Sequence, residues 1–254
     1  MIAKKRKIET QEEIQKEKQK EMQCERMYME KIEGIKIQDL YDLNETIAAA
    51  VFEGKTYPWE VLPCIEQFII ELGNSLPKDK FTEVSPQVWI ANSAKVFPSA
   101  YIGSPCIIDE EAEVRHCAFI RGSAIVGKKA VVGNSTELKN VILFNNVQVP
   151  HYNYVGDSIL GYKAHMGAGS ITSNVKSDKL LVEIHDFEHD IHMKTERKKV
   201  GAMLGDNVEV GCNSVLNPGT IIGRCSNIYP VSRVRGFVPA NSIFKSQDKI
   251  VPKK

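Results

Sequence analysis

Ile90-Ala91-Asn92-Ser93-Ala94-Lys95-Val96-Phe97-Pro98-Ser99-Ala100-Tyr101-Ile102 opens a run in which an aliphatic residue recurs at every sixth position. The series is Ile90, Val96, Ile102, Ile108, Val114, Ile120, Val126, Val132 and Leu138. Four positions after eight of these stands a small residue: Ala94, Ala100, Cys106, Ala112, Ala118, Ala124, Ala130 and Thr136. A period of six matches neither the repeat of a helix nor the two-residue alternation of a meander. It fits a chain that makes one short strand and one tight corner every six residues. The aliphatic side chain then points inward, and the small residue lets the corner turn without a clash. Coils of this kind stack into a parallel β-helix, each one stabilised by its neighbour.

The period returns at Tyr154, Leu160, Met166 and Thr172, with Ser158, Ala164 and Ser170 in the small positions. It returns again at Leu204, Val210, Leu216, Ile222, Ile228 and Val234, with Val208, Ser214, Thr220, Ser226 and Ser232. Leu138 and Tyr154 are sixteen residues apart, which is not a multiple of six, so an insertion or loop is predicted within 139–153. Thr172 and Leu204 are thirty-two apart, which predicts an arm of about four hexads at 173–203. Breaks in a solenoid map to loops, and loops carry chemistry, so these two segments are where function is expected.

With 254 residues the chain has room for one large domain and an appendage. Its net charge of +1 exerts no global pull toward nucleic acid or a membrane surface. No apolar run approaches the roughly 20 residues that span a bilayer, and the N-terminus has no secretory h-region. Six cysteines without a C-x-x-C pair read as reduced thiols of a cytoplasmic protein. Residues 1–33 are dense in both charge signs and read as a solvated helix or frayed tail, supported by Glu–Lys pairs four apart. Residues 34–83 are predicted to form a small helical cap. In it, a short helix follows Asn44 and a second begins at Pro58 and ends near Gly73. Trp59, Leu62, Ile65, Phe68 and Ile69 would cover the end of the solenoid and keep its first coil dry. The β-helix domain is assigned to 84–245 with the arm at 173–203, and 246–254 to a C-terminal tail.

The hexad pattern resembles that of the left-handed β-helix transferases. The stretches His151-Tyr152-Asn153-Tyr154-Val155-Gly156-Asp157-Ser158 and Gly167-Ala168-Gly169-Ser170-Ile171-Thr172-Ser173-Asn174 are more specific. They closely resemble the acetyltransferase half of the bifunctional N-acetylglucosamine-1-phosphate uridyltransferase/glucosamine-1-phosphate acetyltransferases. Gly201-Ala202-Met203-Leu204-Gly205-Asp206 and Asn217-Pro218-Gly219 resemble the archaeal sugar-1-phosphate nucleotidyltransferase relatives of those enzymes. The match covers about residues 84–245. It implies an all-β, left-handed parallel β-helix with a small α-helical N-terminal region. It also implies acetyl-coenzyme A as co-substrate, a sugar phosphate as acceptor, and a homotrimer with sites between neighbouring chains. Nucleic acid, membrane and metal are not expected as partners.

The resemblance assigns roles to particular residues. Arg121 and Lys139 match phosphate-binding positions. Charge-assisted hydrogen bonds suit a phosphate dianion, and eighteen residues is one full coil of three hexads, which would stack the two on one face. His151 matches the general base that takes a proton from the sugar amine, a task suited to an imidazole whose ordinary pKa is about 6.5. Tyr154 and Asn174 match substrate contacts. Tyr154 also stands on the hexad period, and Asn174 could equally be a turn residue. His165 replaces a substrate-binding asparagine. On the coenzyme side Ala168 matches a backbone contact to the pantetheine arm, Cys212 replaces a serine and Pro230 an alanine. Proline has no N–H to donate. Lys245, Arg233 and Arg235 are candidates for the coenzyme phosphates. A backbone N–H near Gly167–Gly169 would meet the charge developing on the thioester oxygen.

The Gly-rich nucleotide-binding loop of the bifunctional enzymes, of the form G-x-G-T-R-M, does not occur, so no pyrophosphorylase activity is predicted. The replacements at His165, Cys212 and Pro230 keep a second reading open: a sugar-nucleotide-binding or regulatory protein without acyl transfer. In the arm, His185, His189 and His192 have spacings that would bring all three to one face of a helix, as zinc requires. Loops rich in His, Asp and Glu are commonly only solvated, and no metal is assigned to them.

Overall fold

The computed structural model describes residues 32–253. The extension predicted over 1–33 lies almost wholly outside them. The parallel β-helix demanded by the hexad period is the observed architecture, built as three ladders of short strands. The first ladder runs through Val88–Ala91, Cys106–Ile108 and Ala124–Val126, then the second halves of Glu137–Leu143 and Tyr154–Leu160. It continues through Ala202–Leu204, Thr220–Ile222 and Phe237–Val238. The second comprises Tyr101–Ile102, Phe119–Ile120, the first halves of the same two long strands, Ile171–Thr172, Val215–Leu216 and Arg233–Val234. The third is a nine-stranded sheet from Lys95–Val96 to a C-terminal antiparallel hairpin, Ser242–Ser246 with Lys249–Pro252. Val114, Ile120, Val126, Val132 and Leu138 are fully buried inside.

From Glu111 onward the coils turn their corners on residues with left-handed backbone. Glu111, Cys117, Ser123, Lys129 and Ser135 keep time at six residues, with φ of 57°, 59°, 50°, 57° and 55°. The next such residues are Asn140, Asn146, Tyr152 and Asp157. The count steps by five twice, from Ser135 to Asn140 and from Tyr152 to Asp157. Leu138 accordingly pairs with Val155, seventeen residues on, where Ile120 pairs with Leu138, eighteen on.

The predicted insertion within 139–153 is therefore not there. The chain stays in the coil and drops one residue at the same corner of two successive coils, with Leu143, Val149, Val155 and Leu160 all buried as inward residues. Two consequences correct the sequence reading. His151 ends the strand Gln148–His151, paired with Asn134, rather than lying on a loop. Tyr154 is not an inward residue: Val155 is, and Tyr154 stands one place before it, opposite Glu137.

The helical region does not plug the end of the solenoid as predicted; it runs along the outside of the first ladder. Trp59, Leu62, Ile65 and Ile69 are buried as expected, in a segment of two α-helices, Ile37–Leu40 and Ile65–Ser75, and three 3-10 turns. Gly73 lies against the Trp89 ring, so closely that a Cβ there would fall 2.2 Å from it. Farther along, the Tyr41 hydroxyl donates to the Ile159 carbonyl at 3.4 Å, and Asp206 N–H donates to the Leu40 carbonyl at 2.9 Å. The reason lies in the strands beneath. Ile107-Ile108, Ile125-Val126, Ile142-Leu143, Ile159-Leu160, Met203-Leu204 and Ile221-Ile222 are adjacent apolar pairs, buried throughout. Successive strand residues face opposite sides, so this ladder is apolar outside as well as in.

The arm is where the thirty-two-residue gap predicts it. Ile171 pairs with Val215, forty-four residues on, against eighteen for Val215 with Arg233, so twenty-six extra residues leave the coil. They form an antiparallel hairpin, Glu183–Asp186 with Ile191–Lys194, rather than a helix. The hairpin docks on later coils: Val182 and Ile184 are fully buried, with side-chain atoms against Gly219, and the His185 carbonyl lies against Gly236.

Candidate active site

The two shortened corners bring Lys139, Asn140, Gly156 and Asp157 together. Asp157 turns its corner at φ 48°, with the residue 5 % exposed. Its Oδ1 accepts from Asn140 Nδ2 at 2.9 Å, its Oδ2 accepts from Asn174 Nδ2, and Lys139 Nζ stands 3.5 Å from Oδ2. A buried carboxylate needs such donors, and here it has three. Arg121 follows Ile120, which pairs with Leu138, so Arg121 comes up beside Lys139 as the one-coil spacing predicts. Its Nη1 is 2.9 Å from Glu137 Oε1.

Tyr154 is opposite Glu137, and its hydroxyl lies over Gly156, where a Cβ would approach it to 2.4 Å. Burial raises the Tyr154 pKa first, and the charges of Asp157 and Glu137 raise it further. Four of the substrate-binding candidates, Arg121, Lys139, Tyr154 and Asn174, thus form one cluster. Glu137, Asn140 and Asp157 belong to it and were not singled out from sequence. A signal for two of them existed: Asn140 and Asp157 are polar residues where the corner count drops to five.

A second group lies on one ridge, the corner that follows the third ladder. Val149, Met166, Val210 and Ile228 are inward residues on successive coils, and His151, Ala168, Cys212 and Pro230 each stand two places after them. The backbone confirms the alignment. The His151 carbonyl accepts from Gly169 N–H at 3.0 Å, that of Ala168 from Asn213 N–H at 2.9 Å, and that of Cys212 from Val231 N–H at 2.8 Å. Coils approach so closely here that a Cβ on Gly211 would fall 2.4 Å from the Pro230 nitrogen. His151 is placed by its own N–H, which donates to Asn153 Oδ1 at 3.1 Å. Asn153 is itself buried and donates to the Gly167 carbonyl at 2.9 Å. The His151 imidazole makes no hydrogen bond or ion pair among the described residues.

Of the amides at Gly167–Gly169, those of Gly167 and Gly169 donate to the Val210 and His151 carbonyls. The Ala168 N–H has no partner among the described residues. Lys245 joins the end of the ridge, its Nζ 5.6 Å from the centroid of Tyr229, the neighbour of Pro230. Arg233 falls on the second ladder in line with Tyr154, and Arg235 lies beside the arm. His165 stands apart from the Arg121 cluster: it is on the third ladder, with Nδ1 2.8 Å from Glu209 Oε2. His151 ends its strand on the third ladder, and Tyr154, on the second, follows it three residues later in the chain.

Residues 102–222 match the family model described as the GMPPB C-terminal domain. The chain is 32 % identical over 202 residues to the bifunctional protein GlmU of Methanococcus vannielii, covering 78 % of this chain and 47 % of that protein. It is 29 % identical over 176 residues to a bifunctional sugar-1-phosphate nucleotidylyltransferase/acetyltransferase of Sulfurisphaera tokodaii, covering 62 % of this chain and 43 % of that one. The chain therefore spans about half the length of these relatives. Among solved structures it is similar to a hexapeptide transferase family protein from Anaplasma phagocytophilum, at 15 % identity and a TM-score of 0.37, over 66 % of this chain and 80 % of that one. The resemblance drawn from His151–Asn174 thus holds across most of the chain. No helix of the described residues is long and apolar enough to cross a membrane.

Proposed function

We propose that this chain is an acetyl-coenzyme A-dependent N-acetyltransferase. Its acceptor is the amine of an amino-sugar phosphate of the glucosamine-1-phosphate type, or of a nucleotide-linked amino sugar. The observation that carries the reading is the cationic cluster of Arg121, Lys139, Tyr154 and Asn174, with the unpaired His151 imidazole three residues before Tyr154 in the chain. Arg121 and Lys139 hold the phosphate, with Glu137 and Asp157 fixing their positions, and Tyr154 and Asn174 orient the sugar. The amine nitrogen attacks the thioester carbonyl carbon while His151 takes its proton. The carbonyl oxygen becomes an oxyanion, met by the Ala168 N–H. Collapse breaks the carbon–sulfur bond, and the proton held by His151 passes to the leaving thiolate, giving the N-acetyl sugar and free coenzyme A. The coenzyme lies along Ala168, Cys212 and Pro230 with its phosphates toward Lys245. In this reading the protein is a cytoplasmic homotrimer in UDP-N-acetylglucosamine-type metabolism.

The test is thiol release from acetyl-coenzyme A with glucosamine-1-phosphate, wild type beside His151→Ala. Turnover that falls in the variant by roughly 100-fold or more fits a general base. Pro230, which offers no N–H on the ridge, favours one alternative: a sugar-nucleotide-binding protein without acyl transfer. That alternative gains if calorimetry detects a sugar nucleotide but not coenzyme A, and no amino sugar supports turnover.

A further inference from the structure

The hairpin of the arm rearranges the histidines that sequence spacing set on a helix. His185 and His192 are directly opposite each other across the two strands. Their rings stack with centroids 3.9 Å apart and planes 22° from parallel. Asp190, in the connecting turn with φ 53°, reaches back to both. Its Oδ1 is 3.3 Å from His185 Nε2 and 3.8 Å from His192 Nε2. One ligand atom from each of the three residues lies within 4.8 Å of the others. His189 is not among them: its Nδ1 turns to Asp186 at 2.9 Å.

We propose that His185, Asp190 and His192 form a binding site for a divalent transition-metal ion of the zinc class. Two imidazole nitrogens and one carboxylate oxygen are a donor set for such ions, whereas magnesium and calcium favour all-oxygen sites. The far nitrogen of His192 supports this, since Nδ1 is 3.5 Å from Glu183 Oε2. A carboxylate behind a ligating histidine fixes the tautomer that leaves Nε2 free for metal. The other ring is held as well: Phe187 packs on His185 with centroids 3.7 Å apart. The strands that carry the ligands are anchored by Ile184, Ile191 and Met193, all buried. His185 and His192 line a cavity of about 400 Å³ between hairpin and coil. Lys176 and Arg235 in its wall are offset by Asp178 and Glu183. With three protein ligands, the remaining coordination positions of a bound ion are open to water on this side. The proposal departs from the expectation of a metal-free domain and is independent of the acetyltransferase reading.

The experiment is titration of the chelator-stripped full chain with Co²⁺, read by its visible absorption, and with Zn²⁺ by calorimetry. The site predicts one ion per chain. His192→Gln and His185→Ala should each weaken binding more than tenfold, and Glu183→Gln roughly tenfold through the orienting carboxylate. His189→Ala, beside the site but turned away, should bind like wild type. Circular dichroism confirms that each variant is folded; His192 is half exposed on the hairpin surface, so its replacement leaves the buried anchors in place. Absence of ion binding by the wild type overturns the proposal. So does binding that survives in both His185→Ala and His192→Gln, or that His189→Ala weakens as much as they do.

Discussion

Lys139 Nζ stands 3.5 Å from the carboxylate of Asp157 across a pair of corners that are each one residue short. The pairing ties the cationic cluster to a defect in the repeat: without the shortened coils, Asp157 would not follow so closely on the coil of Lys139. Asp157→Ala removes the acceptor for Asn140 and Asn174 and leaves an alanine in left-handed backbone. A hydrogen bond to a charged group is worth about 1.5–3 kcal/mol. Urea unfolding should show a loss of that order, and Asp157→Asn, better suited to positive φ, should lose less.

Pro230 has no N–H to set beside the unpartnered Ala168 amide on the same ridge. Pro230→Ala restores one N–H, worth about 1 kcal/mol as a single hydrogen bond. Calorimetry with coenzyme A should show Kd falling roughly fivefold. An unchanged Kd would remove this ridge as the coenzyme path.

Asp206 joins helical region to solenoid. Its Oδ2 accepts from Asp42 N–H and its Oδ1 from Tyr162 N–H, both at 2.8 Å, and Arg224 Nη2 is 3.3 Å away. Burial nevertheless outweighs these bonds and raises its pKa. A carboxyl with a raised folded-state pKa holds its proton more tightly folded than unfolded. Its contribution therefore favours folding most at low pH and declines as pH rises from the ordinary carboxylate value, about 3.9, through the raised one. Urea midpoints of wild type and Asp206→Asn across that range should converge or cross in the variant's favour as pH rises. A constant difference would contradict the shift.

Tyr101 and Phe119 are 60 % and 43 % exposed on the outside of the second ladder, with rings 5.5 Å apart. If this face packs against other copies in a trimer, sedimentation equilibrium should give three chains for wild type. A Tyr101→Glu, Phe119→Glu double variant should give a lower mass, since charge buried in an apolar interface is strongly unfavourable. Equal masses would place the contact on another face.

Sequence by itself determined the architecture. Ile90 through Leu138 repeat at six because every coil asks the same thing of its inward residue, and a local rule that recurs can be read without knowing what touches what. The one-coil stacking of Arg121 and Lys139 and the departure of an arm after Thr172 follow from the same count. Tertiary structure decided whatever depends on comparing coils rather than residues. Two deletions of one residue looked like a single loop, because a period search loses phase at the first and regains it only past the second. Left-handed backbone at Asn140 and Asp157 absorbs both and keeps His151 in a ladder. The helical region covers a side rather than an end because the pairs beginning at Ile107 are apolar on both faces, a pattern that counting only every sixth residue passes over. Asp157 and Asp190 owe their importance to partners seventeen residues distant or across a hairpin turn, and only the folded chain brings those groups together.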